Sequence, residues 1–224
     1  MQKNYKGIIL LLLSIISCGI AQGLTIIAIP WYFTDHLNLS SEFSFGYALI
    51  TFLGLFWGLY AGVIIDSINR KQILLYINII SAFFFMTIGI SEHIFNSHNS
   101  ILFFLGFGIC SFYYMIFFPN LYALAQELSN EKEYIKINSF IEIFFQITSI
   151  SAAIICGLLL SGSNNFLQYF NWTLFEFNAW SIKEIFLLNG LLYFITFVLL
   201  LFVKYKPNKH EKIPNISSTI EEIK

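Results

Sequence analysis

Charge is what this chain has least of. Only 11% of its 224 residues are Asp, Glu, Lys or Arg, against about a quarter in an ordinary soluble domain. Arginine is almost missing: Arg70 stands alone, and the other eleven basic residues are lysine. A net charge of -1 leaves no basic face for nucleic acid, so that class of partner is excluded. Cysteine is scarce too. Cys18, Cys110 and Cys156 are odd in number and lie in apolar stretches. A full disulfide set is therefore excluded, their spacing matches no metal site, and they read as small apolar packing residues. His36, His93, His98 and His210 fall in loops or the tail without ligand spacing. No nucleophile motif, phosphate-binding glycine loop or metal cluster is found. Neither a cofactor nor an enzymatic reaction is expected.

What is present is apolar length. The chain is 57% hydrophobic, with a mean hydropathy of +0.72. Six stretches reach the roughly 20 residues needed to cross a bilayer: 8–33, 43–65, 72–90, 101–124, 137–161 and 185–203. Barrel strands would be about 10 residues long and alternate in polarity. Runs of this length must instead satisfy their own backbone in lipid, which predicts helices. The first stretch is too long for the apolar core of a signal peptide and no clear cleavage site follows it. It reads as a retained helix. The expected fold class is all-α integral membrane: a six-helix bundle over residues 1–203, then a cytoplasmic linker or tail over 204–224.

Cation placement orients the bundle. Segments 1–7, 66–71, 125–136 and 204–224 hold all but one of the twelve cationic residues; the opposite loops hold only Lys183. Both ends are then expected inside, which suits an even number of spans. Segment 163–184 carries Phe166, Tyr169, Phe170, Trp172, Phe175, Phe177 and Trp180, a density typical of a membrane interface. A short amphipathic segment is expected there, with a substrate lid as the sharper alternative. The tail, with Pro207, Pro214 and alternating Lys and Glu, reads as flexible chain able to touch anionic headgroups.

Polar residues inside the spans are the functional candidates. Segment 62–71 carries Gly62, Asp66, Arg70 and Lys71 between the second and third spans. Two cations at the start of a helix oppose its dipole, so their placement needs another cause. Topology is one; an acidic partner, Asp66, Glu127 or Glu131, is another. Gly54, Gly58 and Gly62 recur every four residues on one helix face, as Gly19 and Gly23 do in the first span; such faces permit close packing in lipid. Asn138, Glu142, Gln146, Ser149, Ala153 and Gly157 form one polar-to-small stripe on the fifth span. Glu142 reads as the only acid well inside a span, either facing a cavity or pairing with Lys136 or Arg70. Gln22, Thr25, Tyr113, Tyr114 and Asn120 are further cavity candidates, and Pro119 a candidate kink.

Taken together, these residues resemble the amino-terminal half of a major facilitator superfamily transporter. Segment 62–71 resembles that family's signature loop. Gln22-Gly-Leu-Thr-Ile-Ile-Ala-Ile-Pro30 and the run from Pro119 through Glu127 to Asn138 and Ser139 are most similar to bacterial drug and siderophore exporters of the macrolide-efflux and enterobactin-export type. There are departures. Ser67 and Asn69 stand where a cation and a glycine are usual, no arginine lies in the fourth span, and Ser151-Ala-Ala replaces a Gly-Pro pair. The resemblance implies alternating access with a site between two six-helix halves, and efflux of a small amphipathic or hydrophobic compound across a bacterial cytoplasmic membrane. In it, segment 62–71 is a conformational latch with Glu127 a possible partner, and Gln22, Asn138, Glu142 and Gln146 are candidates for cavity or coupling roles. The partners it implies are the lipid bilayer, a small-molecule substrate, and a carboxy-terminal half in the same gene or a separate chain, or a second copy of this one. A non-transporting regulatory or truncated membrane protein is the alternative.

Overall fold

The computed structural model describes residues 4–95, 99–162 and 177–205. Among them are six long helices and no strand: α1 (Tyr5–Trp31), α2 (Ser40–Ser67), α3 (Arg70–Phe95), α4 (Ser100–Glu127), α5 (Tyr134–Ser161) and α6 (Ile182–Leu201). All six are long and apolar enough to cross a membrane. Even the shortest, 20 residues in α6, spans about 30 Å at 1.5 Å per residue. At half of their ends the helices run three or more residues past the apolar stretches, while α1 and α6 each end two residues short of theirs. Residues 163–176 of the expected amphipathic segment, and the tail from 206 onward, fall outside the described residues.

The ends are set by local chemistry. Asn4 accepts the Gly7 N–H at 3.0 Å and opens α1. Pro30 removes one N–H near the end of α1, and the chain widens into a π turn at Tyr32–His36, a rare element concentrated at functional sites. Asn38, at φ 55°, then turns the chain into α2; asparagine tolerates that left-handed conformation. Asn99 caps α4 through the Ile101 N–H. Ser181 and Glu184 form a reciprocal capping box on α6, satisfying two otherwise orphaned donors. Gly162, at φ 71°, closes α5.

Lipid offers helices no hydrophobic drive to associate, so close packing and interhelical hydrogen bonds must supply it. α1 is the hub, packed by α4, α5 and α6; α3 packs on α4 and α6. Gly19 and Gly23 of α1 sit under Thr148 and Ala152 of α5, with added Cβ atoms 2.6 Å from Thr148 Oγ1 and 2.3 Å from Ala152 Cβ. Gly190 brings the α6 and α3 backbones together: a Cβ there would lie 2.9 Å from Met86 N. Rings stack through the core, Phe103 on Phe186 at 5.3 Å, Phe186 on Phe85 at 5.7 Å and Phe85 on Tyr193 at 5.6 Å. Buried polar groups pair across helices: Asn189 donates to Thr25 at 2.7 Å, Tyr113 to Asn78 at 3.0 Å and Ser17 to the Leu192 carbonyl at 2.8 Å. Each such bond contributes about 0.6 kcal/mol, at most about 1.7. The three cysteines are buried and free.

Burial is unequal. The most apolar window of α1 is 56% buried, that of α2 22% and that of α5 17%. α2 rests chiefly on α4, and one long side of the bundle, made by α2 and α5, is left uncovered.

Candidate functional site

Two features stand out: a charged cluster at one end of the bundle and a cavity on its uncovered side.

The cluster grows from a very short connection. α2 ends at Ser67 and α3 begins at Arg70, so two residues join them, not the six suggested by the hydrophilic run. Asn69 makes this possible. Its side chain accepts the Lys71 N–H at 3.0 Å and the Gln72 N–H at 3.3 Å, and its carbonyl accepts from Ile73. It acts as a helix cap.

The two cations that follow have structural causes. Arg70 Nη1 lies 3.2 Å from Glu127 Oε1, with both side chains largely buried. Lys71 Nζ donates to the carbonyls of Leu201 at 3.0 Å and Val203 at 2.8 Å. These carbonyls belong to the negative end of α6, where a cation is favoured. Lys71 thus trades an unfavourable position on its own helix for a favourable one on a neighbour. Asn120 of α4 donates to the Arg70 carbonyl at 2.7 Å. Tyr205, just past α6, donates its hydroxyl to Glu127 Oε2. Burial first, and that bond second, push the Tyr205 hydroxyl above its ordinary value of 10.0. α3, α4 and the segment just past α6 meet on this one carboxylate and its arginine.

Asp66 is not part of it. It is exposed and makes no hydrogen bond or ion pair among the described residues. Gly62 and Gly58 have open space where a side chain would go, whereas Gly54 lies under Met115: a Cβ added there would be 2.6 Å from Met115 Cε. Among the described residues, the glycine face of α2 therefore packs on α4 toward its first half, at Gly54 and also at Gly46, and is open at Gly58 and Gly62.

The cavity, of about 430 Å³, lies between α1, α2, α4 and α5. Gln22, Tyr47, Thr51, Ser111, Tyr114 and Ser149 give it polar points in an otherwise apolar wall. Thr25, Tyr113 and Asn120, also cavity candidates by sequence, are instead buried in the core and hydrogen-bonded there. On α5, Ile137, Ile141, Thr148, Ala152 and Cys156 are buried. The polar stripe lies beside that face: Glu142 and Gln146 are exposed, and Asn138 and Ser149 half-buried. Glu142 accepts the Tyr122 hydroxyl and pairs with neither Lys136 nor Arg70. It is also not the innermost acid. Glu92 of α3 is 2% exposed. Glu92 lies beyond the apolar stretch 72–90 and inside the spanning helix only because α3 continues to Phe95.

A bundle of six helices, each long and apolar enough to cross a membrane, is that of an integral membrane protein. The chain belongs to the Major Facilitator Superfamily, whose family model matches residues 11–222. Membership places it among membrane transport proteins. No curated protein matches it.

Proposed function

We propose that this chain exports a small amphipathic or hydrophobic compound by alternating access, acting as one six-helix half of a secondary transporter. The observation that carries the reading is the cavity between α1, α2, α4 and α5, apolar in the main with Gln22, Thr51, Ser111 and Ser149 as polar points. An apolar wall with a few fixed polar groups suits an amphipathic molecule. Glu142 and Gln146 continue the cavity's side toward the charged cluster. Ionisable and amide groups on a spanning helix are costly against lipid and belong at a wet cleft or a partner. A second set of six helices, from the same gene, another chain or a second copy, would cover them. The open positions at Gly58 and Gly62, with Asp66 below, form the other half of that docking surface. The Arg70–Glu127–Tyr205 cluster acts as the latch that holds one state. The lysine distribution supports an orientation with the latch end inside.

Energised cells making the protein should lose a preloaded hydrophobic dye faster than cells with an empty vector. Equal rates, with the protein present in the membrane and its neighbouring reading frame supplied, would refute export.

A further inference from the structure

Gln22 is the residue of the central cavity that the fold leaves unsatisfied. It belongs to α1 and is 6% exposed. Its side chain makes no hydrogen bond among the described residues, yet it lines the cavity between α1, α2, α4 and α5. Neither of its polar atoms is among those sealed in the interior without a partner. The cavity is therefore the space they open onto. An amide carries two donors and one acceptor, and holding it away from water unpaired is costly.

The other polar groups of the wall differ from it. Thr51 and Ser111 donate their hydroxyls to carbonyls of their own helices, those of Tyr47 and Phe107, both at 2.9 Å. Ser149 of α5 is half-buried and makes no hydrogen bond among the described residues. None of the described lining residues is charged. Glu142, on the same helix as Ser149, is not in the wall and accepts from Tyr122 instead. Gly19 and Gly23 stand on either side of Gln22 and hold α1 against Thr148 and Ala152 of α5. The amide thus projects from a rigid element, which favours precise recognition. Rings complete the wall, Tyr47 against Phe107 at 5.7 Å and Tyr114 against Phe145 at 5.8 Å.

We infer that Gln22 is the specificity-determining residue of this cavity, and that the ligand it selects is uncharged and carries a carbonyl beside an N–H, a carboxamide-type group on an aromatic body. This deepens the export reading and rests on it for the claim that the ligand is what the chain carries. The Gln22 amide donates to the ligand carbonyl and accepts from its N–H, while the body lies against the rings. A charged ligand would give up its hydration with no opposite charge in the wall to replace it.

The test uses the full chain in lipid nanodiscs, with empty nanodiscs to subtract partition into lipid. Three probes share one ring system: 2-naphthamide, methyl 2-naphthoate, which keeps the carbonyl and lacks the N–H, and the 2-naphthoate anion. Equilibrium dialysis reads their affinities. Wild type should bind the amide about ten-fold more tightly than the ester, since the ester leaves one bond at Gln22 unmade. The anion should bind weakest of the three. Gln22→Met, which keeps the length and removes the amide, should bind amide and ester alike. Ser149→Trp, with the cavity filled, should bind neither. Melting temperature checks the folding of both variants, and the order of the three probes in wild type tests the inference without either. Equal binding of amide and ester by wild type would overturn it. So would an unchanged preference in Gln22→Met, undiminished amide binding in Ser149→Trp, or no amide binding above empty nanodiscs. Export is measured separately: absent efflux with the amide preference intact would refute transport and leave the Gln22 site standing.

Discussion

Arg70 and Glu127 form a 3.2 Å ion pair between the first residue of α3 and the last of α4. Each sits at the helix end its charge ordinarily avoids, the cation at a positive terminus and the anion at a negative one. Bringing the two termini together cancels both penalties. Removing one partner leaves the other partly buried and opposed by its own helix. Arg70→Ala or Glu127→Ala should each destabilise the bundle by about 1–3 kcal/mol, below the 3–5 of a fully buried pair. The exchanged pair, Arg70→Glu with Glu127→Arg, should recover part of that loss. Thermal unfolding in detergent measures both; a double exchange no better than the worse single variant would show that the pair is not the cause.

Tyr205 ties the segment after α6 to the same carboxylate. Tyr205→Phe should cost about 0.5–1.5 kcal/mol near neutral pH, the net value of a hydrogen bond. The folded hydroxyl is held above its ordinary 10.0, so the folded state keeps a proton that the unfolded state loses. Its contribution is therefore complete below about pH 10 and is lost as pH rises through the folded value. Stability against pH should fall less steeply above 10 in Tyr205→Phe than in the wild type. Identical alkaline slopes would contradict the assignment.

The glycines of α1 and α2 should behave in opposite ways. A Cβ at Gly23 meets Ala152 Cβ at 2.3 Å, so Gly23→Ala must push α1 from α5 and should cost about 1–3 kcal/mol. Gly58 and Gly62 face open space. Alanine at either should leave stability unchanged or raise it by up to about 1 kcal/mol through helix propensity. Melting temperatures of the three variants test this order.

If α2 docks on a second half, bulk on its open face should harm transport without harming the fold. Gly58→Leu and Asp66→Ala are expected to keep melting temperatures within about 0.5 kcal/mol equivalents of wild type and to lower export several-fold. Full export by both variants would remove α2 from the docking surface.

Much of this structure is legible in sequence, and the losses have physical reasons. The six helices are evident because lipid leaves long apolar runs one way to satisfy their backbone. Two cations at a helix start demand compensation, which points to a nearby acid as the Arg70 partner, and Glu127 is the one in place. The role of Lys71 was hidden, since its acceptors are backbone carbonyls of α6 with no side-chain signature. The Gly58 and Gly62 repeat reads the same whether a partner helix lies in this chain or outside it. Glu92 falls beyond the apolar run of its span because hydropathy drops before α3 ends, so its burial has no signature in the sequence.

The cavity between α1, α2, α4 and α5 is where the exported compound is expected to sit. The most direct test is efflux of a preloaded hydrophobic dye from cells making either wild type or Ser149→Trp at matched membrane abundance. Wild type should export above the empty vector, and Ser149→Trp, with the cavity filled, should fall to the vector rate. Undiminished export by Ser149→Trp would contradict the account.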